Sequence, residues 1–173
     1  EQAGAEFTLA VRYPGWCHQM QVKVNGIPVS GAVKTDKGYW MIQRSWQPGD
    51  TVSCEMEMEP ERVYAHPMVR ADAGCVALRR GPIIYTFEGV DNGEDLQTLR
   101  IPREAKIEAL SYQADLLEGI VALRVTGCRK KAAVNPALYA EDAAPEKMVT
   151  LQAIPYYAWC NRGMTHMRVW MQE

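Results

Sequence analysis

The sequence is poor in most of the features that mark a specialised chain. Its 173 residues include only three histidines and two phenylalanines. No apolar run approaches the ~20 residues that a membrane-spanning helix needs, which excludes a helical membrane protein. A basic surplus is missing too: 19 Lys and Arg stand against 21 Asp and Glu, a formal net charge of −2. Dedicated nucleic-acid binders carry a basic stripe or excess, so that class is excluded as well. Disorder fails on the opposite ground, because 47% of the residues are hydrophobic and only 23% charged, the ordinary balance of a globular chain. The opening Glu1-Gln2-Ala3-Gly4 has no initiator methionine, no basic segment and no apolar signal core. The sequence reads as a piece of something longer.

Cysteine is present without the spacing that gives it chemistry. Cys17, Cys54, Cys75, Cys128 and Cys160 are odd in number and far apart. None forms a Cys-x-x-Cys metal or redox motif, and a secreted disulfide scaffold is shorter and denser in thiols. They read as mostly buried, reduced thiols that pack as small hydrophobes, and a reducing compartment suits them best.

What is abundant is alternation with period two. Phe7 to Arg12 is a strand-forming run closed by Tyr13-Pro14-Gly15-Trp16. Met20, Val22 and Val24 alternate with polar residues and lead straight into Asn25-Gly26, the strongest short hairpin signal, since both residues accept positive φ. Gly38 to Arg44 is a further strand, ended by Trp46 and Gln47-Pro48-Gly49-Asp50. Val52, Cys54, Met56 and Met58 then alternate with Ser53, Glu55, Glu57 and Glu59, giving one core face and one solvated face. Arg62 to His66, Cys75 to Arg80 and Ile83 to Phe87 continue the series, punctuated by Pro67, Gly74 and Gly81-Pro82. The run Glu88 to Asp95 marks a change of character, so a domain boundary is placed near residue 90. Beyond it, Glu104–Leu110, Tyr112–Leu117, Ile120–Thr126, Met148–Trp159 and Met167–Met171 read as strands, and 132–147 as a long loop. No three-turn helix is predicted. The expected fold is all-β: two tandem antiparallel β-sandwiches of jelly-roll type, over 1–90 and 91–173.

Chemistry-bearing constellations are weak. A glycosidic acid/base pair needs two carboxyls ~5–10 Å apart across a sugar. Asp72, Glu88 and Asp91 are available, but the sequence brings no two of them together, and Glu55, Glu57 and Glu59 belong to a solvated strand face. His18, His66 and His166 lack metal-ligand spacing. Asp91-Asn92-Gly93-Glu94-Asp95 offers oxygen ligands yet departs from the calcium-loop spacing, and reads as an acidic turn. Five tryptophans and eight tyrosines can stack on sugars, but aromatics in small sandwiches are mostly core. Trp16, on a Pro-Gly turn, is the best candidate for a sugar platform. Arg79-Arg80 before Gly81-Pro82 is either a polar strand end or a fork for a carboxylate on a neighbouring domain.

Several segments occur together in a recognisable order. They are Tyr13-Pro14-Gly15-Trp16, Val24-Asn25-Gly26, Trp46 with Pro48-Gly49-Asp50, Arg62 to Pro67, Gly74 to Tyr85, and Glu88 to Gly93. Ile154 to Gly163 and Met167-Arg168-Val169-Trp170 follow. The set resembles the C-terminal region of glycoside hydrolase family 127, the β-L-arabinofuranosidase type, over nearly the whole chain. The resemblance implies two β-sandwiches that follow an (α/α)₆ catalytic barrel, the first of them truncated at its N-terminus in this chain. It also implies that the family's zinc-bound cysteine nucleophile, its Glu-x-Cys segment, its Cys-Cys pair and its acid/base glutamate all lie in that barrel. None of these motifs is in this chain, so no catalytic or metal-binding residue is carried over, and the chain by itself is expected to be non-catalytic and without a cofactor. The implied role is support of the barrel, or dimerisation with a second copy. His66, Arg70 and Arg80 are the candidate inter-domain contacts. A plant-derived glycan held on exposed aromatics is the alternative partner, and a bacterial cytoplasm or periplasm the implied setting.

Overall fold

The computed structural model describes residues 4–29, 33–35, 37–131, 139 and 141–173. Their contacts divide the chain into two compact units, Glu1–Met58 and Glu59–Glu173. The division expected near residue 90 thus falls some thirty residues earlier. Sequence punctuation misled here: strand β9 (Ile83–Glu88) pairs with β13 (Glu146–Pro155), setting Phe87 opposite Ala153, so the residues before the acidic run are tied to the later unit.

The first unit is built from two three-stranded sheets. In one, β1 (Ala5–Arg12) pairs antiparallel with β5 (Tyr39–Trp46) over its full length, and β4 (Val33–Lys34) takes the other edge. In the other, β2 (Met20–Val24) lies between β3 (Ile27–Pro28) and β6 (Val52–Met56). Period two does the sorting. Met20, Val22 and Val24 turn one way and meet Ile42 and Trp46 of the opposite sheet, together with Cys17. The Trp46 indole satisfies its N–H on the Phe7 carbonyl at 3.0 Å, and the two rings stack 5.5 Å apart. At the β2–β3 turn Asn25 and Gly26 adopt φ of 51° and 79°, as the Asn-Gly signal requires. The Asn25 side chain also accepts the Thr51 N–H at 2.9 Å and donates to Asp50 at 2.7 Å, which fastens this turn to the next one.

The second unit contains β7 (Pro60–Val63), β8 (Cys75–Arg80), β9, β10 (Leu99–Arg100), β11 (Ile107–Ala109), β12 (Leu123–Lys130), β13, β14 (Met167–Arg168) and β15 (Met171–Gln172). The pairing runs β9-β13-β12-β10-β15-β8, and β8 pairs β9 in turn, so the sheet closes on itself. Closure removes the open edges that a sheet otherwise exposes. The pairings are antiparallel except β10 with β15, which is parallel (Arg100 opposite Gln172). Inside lie Val76, Leu78, Tyr85, Phe87, Leu151 and Met171 with their neighbours. β12 and its partners approach closely at Gly127, where a Cβ would stand 2.9 Å from the Arg100 carbonyl.

Part of the outer face is covered as well. Ile120, Ala122, Ile154 and Ala158 form a smaller cluster against it, with Leu110, Leu116 and Leu117 packed on them. Successive residues of β8 and β9 are also buried. The expected strand over Tyr112–Leu117 is instead a turn, with Gln113 bridging Ile120 and positive φ at Leu117 and Glu118. Its apolar residues serve as a lid, which periodicity cannot distinguish from a strand. Among the described residues the longest helix is the single turn α1, Gly89–Asn92. Half of the expected loop over 132–147 lies outside the described residues, and β13 already begins at Glu146.

Candidate functional site

Between β13 and β14 the chain makes a 3₁₀ turn over Tyr156–Ala158 and a tight excursion through Trp159-Cys160-Asn161-Arg162-Gly163-Met164. Large apolar side chains point outward along it: Tyr157 is 66% exposed, Trp159 37% and Met164 99%. An exposed segment of this kind would normally be soft, but this one is pinned from below by buried charge. Glu88 ends β9, and its side chain is 0% exposed. One oxygen accepts the Cys160 backbone N–H at 2.6 Å, and the other accepts Arg162 at 2.5 Å. Arg162 forks onto Asp91 as well, at 2.9 and 2.5 Å. The bonds from Asp91 raise the Arg162 pKa above the usual arginine range, against the effect of burial and with Glu88 adding to it. Cys160 takes up φ of 64° so that its N–H meets Glu88.

The turn carrying Asp91 is fixed by a second polar joint. The buried Asn92 amide donates to the Glu88 carbonyl at 2.9 Å and to the Gln152 carbonyl at 2.8 Å, and its oxygen accepts the Gln152 N–H at 2.9 Å. Arg129 donates to the Asn92 carbonyl from the other side. Beside the loop, Tyr156, Ile84, Met167, Val169 and Trp170 line a mainly apolar groove of about 630 Å³, with Asp72 among its polar lining residues.

Two carboxyls that the sequence offered as glycosidic candidates, Glu88 and Asp91, do converge in space. An arginine stands between them and Glu88 is sealed from solvent, so the pair is an ion-paired anchor and not acid/base machinery. The acidic turn spends Asp91 and Asn92 in the same network. Among the described residues no group of three or more His, Cys, Asp or Glu is placed to hold a metal ion, and the five cysteines are free thiols. No described helix is long and apolar enough to cross a membrane.

The candidate contact residues are spread out. His66 is exposed, its Nδ1 accepting the Met68 N–H at 3.2 Å, and Arg70 is exposed in the Arg70–Asp72 turn. Arg79 is committed to Glu61 across β7 and β8, at 2.7 and 2.8 Å. Arg80 is half-buried beside the Tyr85 phenol, whose pKa burial raises and Arg80 lowers in part. Its Nε is buried and unpartnered. Trp16 is half-buried and packs against the core of the first unit. The Glu88–Arg162 pair escaped sequence reasoning because its members are 74 positions apart. The available signal was an acidic residue ending an otherwise apolar strand.

Comparison with known proteins follows the same division. Residues 60–172 match the glycoside hydrolase family 127 C-terminal domain, and residues 1–58 match the beta-L-arabinofuranosidase, GH127 middle domain. The chain is 35% identical over 171 residues to a non-reducing end beta-L-arabinofuranosidase of Bifidobacterium longum subsp. longum, covering 94% of this chain and 25% of that protein. It superposes on the crystal structure of a GH127 beta-L-arabinofuranosidase from Geobacillus stearothermophilus with a TM-score of 0.92 and 47% identity, covering 99% of this chain and 27% of that one. A GH127 beta-arabinofuranosidase structure matches at 0.82 and 32% identity, over 99% and 28% of the two chains. The chain spans about a quarter of the length of these relatives. With sequence, fold and domain division in agreement, the chain belongs to glycoside hydrolase family 127, of which it carries middle-domain and C-terminal-domain sequence.

Proposed function

We propose that this chain is the non-catalytic, supporting portion of a bacterial glycoside hydrolase that removes β-L-arabinofuranosyl groups from plant glycans. Catalysis, and the zinc that serves it, then reside in an (α/α)₆ barrel outside these residues. The observation that carries the reading is the aromatic loop. Its apolar side chains are presented to solvent while its backbone is held by a sealed carboxylate and a forked arginine. Large apolar groups exposed together on a rigid support suit an interface. Intra-chain domain interfaces are of the order of 600–1,500 Å², which a loop and groove of this size can seed. The occupant favoured by this reading is the remainder of the longer polypeptide, since the relatives are about four times as long as the matched region.

The test compares two contexts. Tyr157→Asp with Met164→Asp should shift the melting temperature of the 173-residue chain by only a few degrees, because these side chains are 66% and 99% exposed. In the longer hydrolase carrying this chain the same pair should lower both melting temperature and turnover. An unchanged longer protein would refute the reading, and so would a loss traced to dissociation of a dimer. Arg80→Ala should also lower the melting temperature of the longer protein. It discriminates less well, because Arg80 packs beside Tyr85 within its own unit.

A further inference from the structure

Strand β1 forms one edge of its sheet, because β5 is its only partner among the described residues. Its eight residues pair with β5 in unbroken register and contain no proline or lysine. Prolines, lysines and bulges are among the usual devices that keep a sheet edge closed to other chains. The other edge strands of this unit are shorter, at five residues for β6 and two each for β3 and β4. The direction of each open bond on β1 follows from the ladder. The Tyr13 N–H donates to the Gly38 carbonyl at 2.9 Å, and on the far side of β5 the Tyr39 carbonyl accepts the Thr35 N–H at 2.8 Å. In an antiparallel pair, residues that exchange hydrogen bonds alternate with residues that do not. Ala5, Phe7, Leu9 and Val11 therefore bond to β5, while Glu6, Thr8, Ala10 and Arg12 turn their N–H and carbonyl groups away from it. No described residue hydrogen-bonds to that outward row.

The side chains of β1 are arranged symmetrically about Leu9. Glu6 and Arg12 flank it at equal distance, as do Phe7 and Val11, and Thr8 and Ala10. A second β1 laid antiparallel along the open edge, Leu9 facing Leu9, brings every outward N–H to an outward carbonyl. On the inner face the closely spaced pairs are then Leu9 with Leu9 and Phe7 with Val11. They cover a Phe7 that is 49% exposed and half-buried Leu9 and Val11. On the outer face Glu6 of each copy stands opposite Arg12 of the other. Arg12 is oriented by its bond to the Lys37 carbonyl at 3.0 Å, and its five-donor fork retains capacity for a carboxylate. A slip of two residues sets Glu6 opposite Ala10, or Thr8 opposite Arg12, and loses both ion pairs. A slip of one misaligns the bonds and exchanges the faces.

We propose that β1 is a homophilic docking edge, to which a second copy of this chain adds its own β1 antiparallel in the Leu9-centred register. The same patch serves both copies, so the contact closes at two and joins two three-stranded sheets into one. An edge of single charge sign would repel a second copy. Glu6 and Arg12, opposite in sign and equidistant from the centre, attract one. The inference concerns the first unit alone and is independent of the supporting role assigned to the second.

The experiment uses the 173-residue chain in sedimentation equilibrium, with hydrogen exchange of backbone amides as a second readout. A single-strand contact lies at the weak end of specific interfaces, so a dimer with Kd near ~100 µM is expected. The Thr8 and Ala10 amides should exchange freely in dilute protein and become protected as the dimer fills. Glu6→Arg, at an exposed position, sets like charges face to face at both ends and should weaken association about tenfold. Arg12→Glu should do the same. An equimolar mixture of the two variants should recover the original affinity within about twofold, because every arginine then meets a glutamate. Should Arg12→Glu fail to fold, Thr8→Pro removes an outward N–H without touching the β5 ladder and should weaken association by a similar factor. The proposal is overturned by a chain that stays monomeric at ~1 mM. A dimer indifferent to Glu6→Arg and Thr8→Pro, or one dispersed instead by Tyr157→Asp with Met164→Asp, overturns it equally. So does a longer hydrolase that protects the Thr8 and Ala10 amides while monomeric, since a strand of its own polypeptide then occupies the edge.

Discussion

Replacing Arg162 with methionine is the sharpest perturbation the second unit allows. Methionine keeps most of the length and apolar stem and removes the charge that faces Glu88 and Asp91. Glu88 is then left with a fully buried carboxylate and one remaining described partner, the Cys160 N–H at 2.6 Å. Breaking a buried ion pair from one side typically costs about 3–5 kcal/mol. Asp91 and Arg162 retain 13% and 22% side-chain exposure, and the water they keep places the expected loss at the lower end, about 3 kcal/mol. At roughly 4 °C per kcal/mol for a unit of this size, the melting transition of Glu59–Glu173 should fall by about 12 °C. Glu88→Gln leaves Arg162 on Asp91 and a neutral acceptor for Cys160, and should cost only about 1–2 kcal/mol. The double variant should then be more stable than Arg162→Met alone, because no uncompensated charge remains sealed at position 88. Calorimetry follows the melting transition, and urea titration of all four proteins closes the cycle. A drop below about 4 °C for Arg162→Met, or a double variant worse than it, would refute the anchor as described.

Two further outcomes follow from other joints. Gly127→Ala should destabilise the second unit by about 1–3 kcal/mol in chemical denaturation. The Leu151 side chain can rotate away from the new methyl, but the Arg100 carbonyl at 2.9 Å belongs to a paired strand and cannot. Asp50 predicts the acid response of the first unit. The Gln47 N–H foremost, then the Asn25 amide, hold its folded pKa below the model-compound value of 3.8, with Arg44 assisting and burial opposing. A depressed carboxyl pKa means that the folded state binds the proton less readily than the unfolded state. The contribution of Asp50 is therefore present above pH ~4 and lost as pH falls through its folded value. Asp50→Asn should flatten the stability slope below pH 4, and an unchanged slope would remove this residue from the account.

Much of the fold follows from the sequence because it rests on short-range rules. Alternation at Met20, Val22 and Val24 dictates which side chains face inward whatever the partner strand, and Asn25-Gly26 dictates a tight turn because few other pairs accept φ of 51° and 79°. The family resemblance draws on the same local segments. The division between units is decided by non-local pairing, and the register of Phe87 against Ala153 overrides the acidic punctuation that follows it. Tyr112–Leu117 shows the same limit, since apolar residues look alike whether they extend a sheet or cover one. The sites lie furthest from sequence. Glu88, Asp91 and Arg162 are ordinary charged residues until folding brings the arginine between the carboxylates and seals Glu88 from solvent. Trp40 and Trp46 are equivalent in the sequence, and only the tertiary structure gives one indole a carbonyl and leaves the other without one. Residue types fix what each group can donate, accept or bury; the distance between groups remote in the chain decides which of those capacities is used.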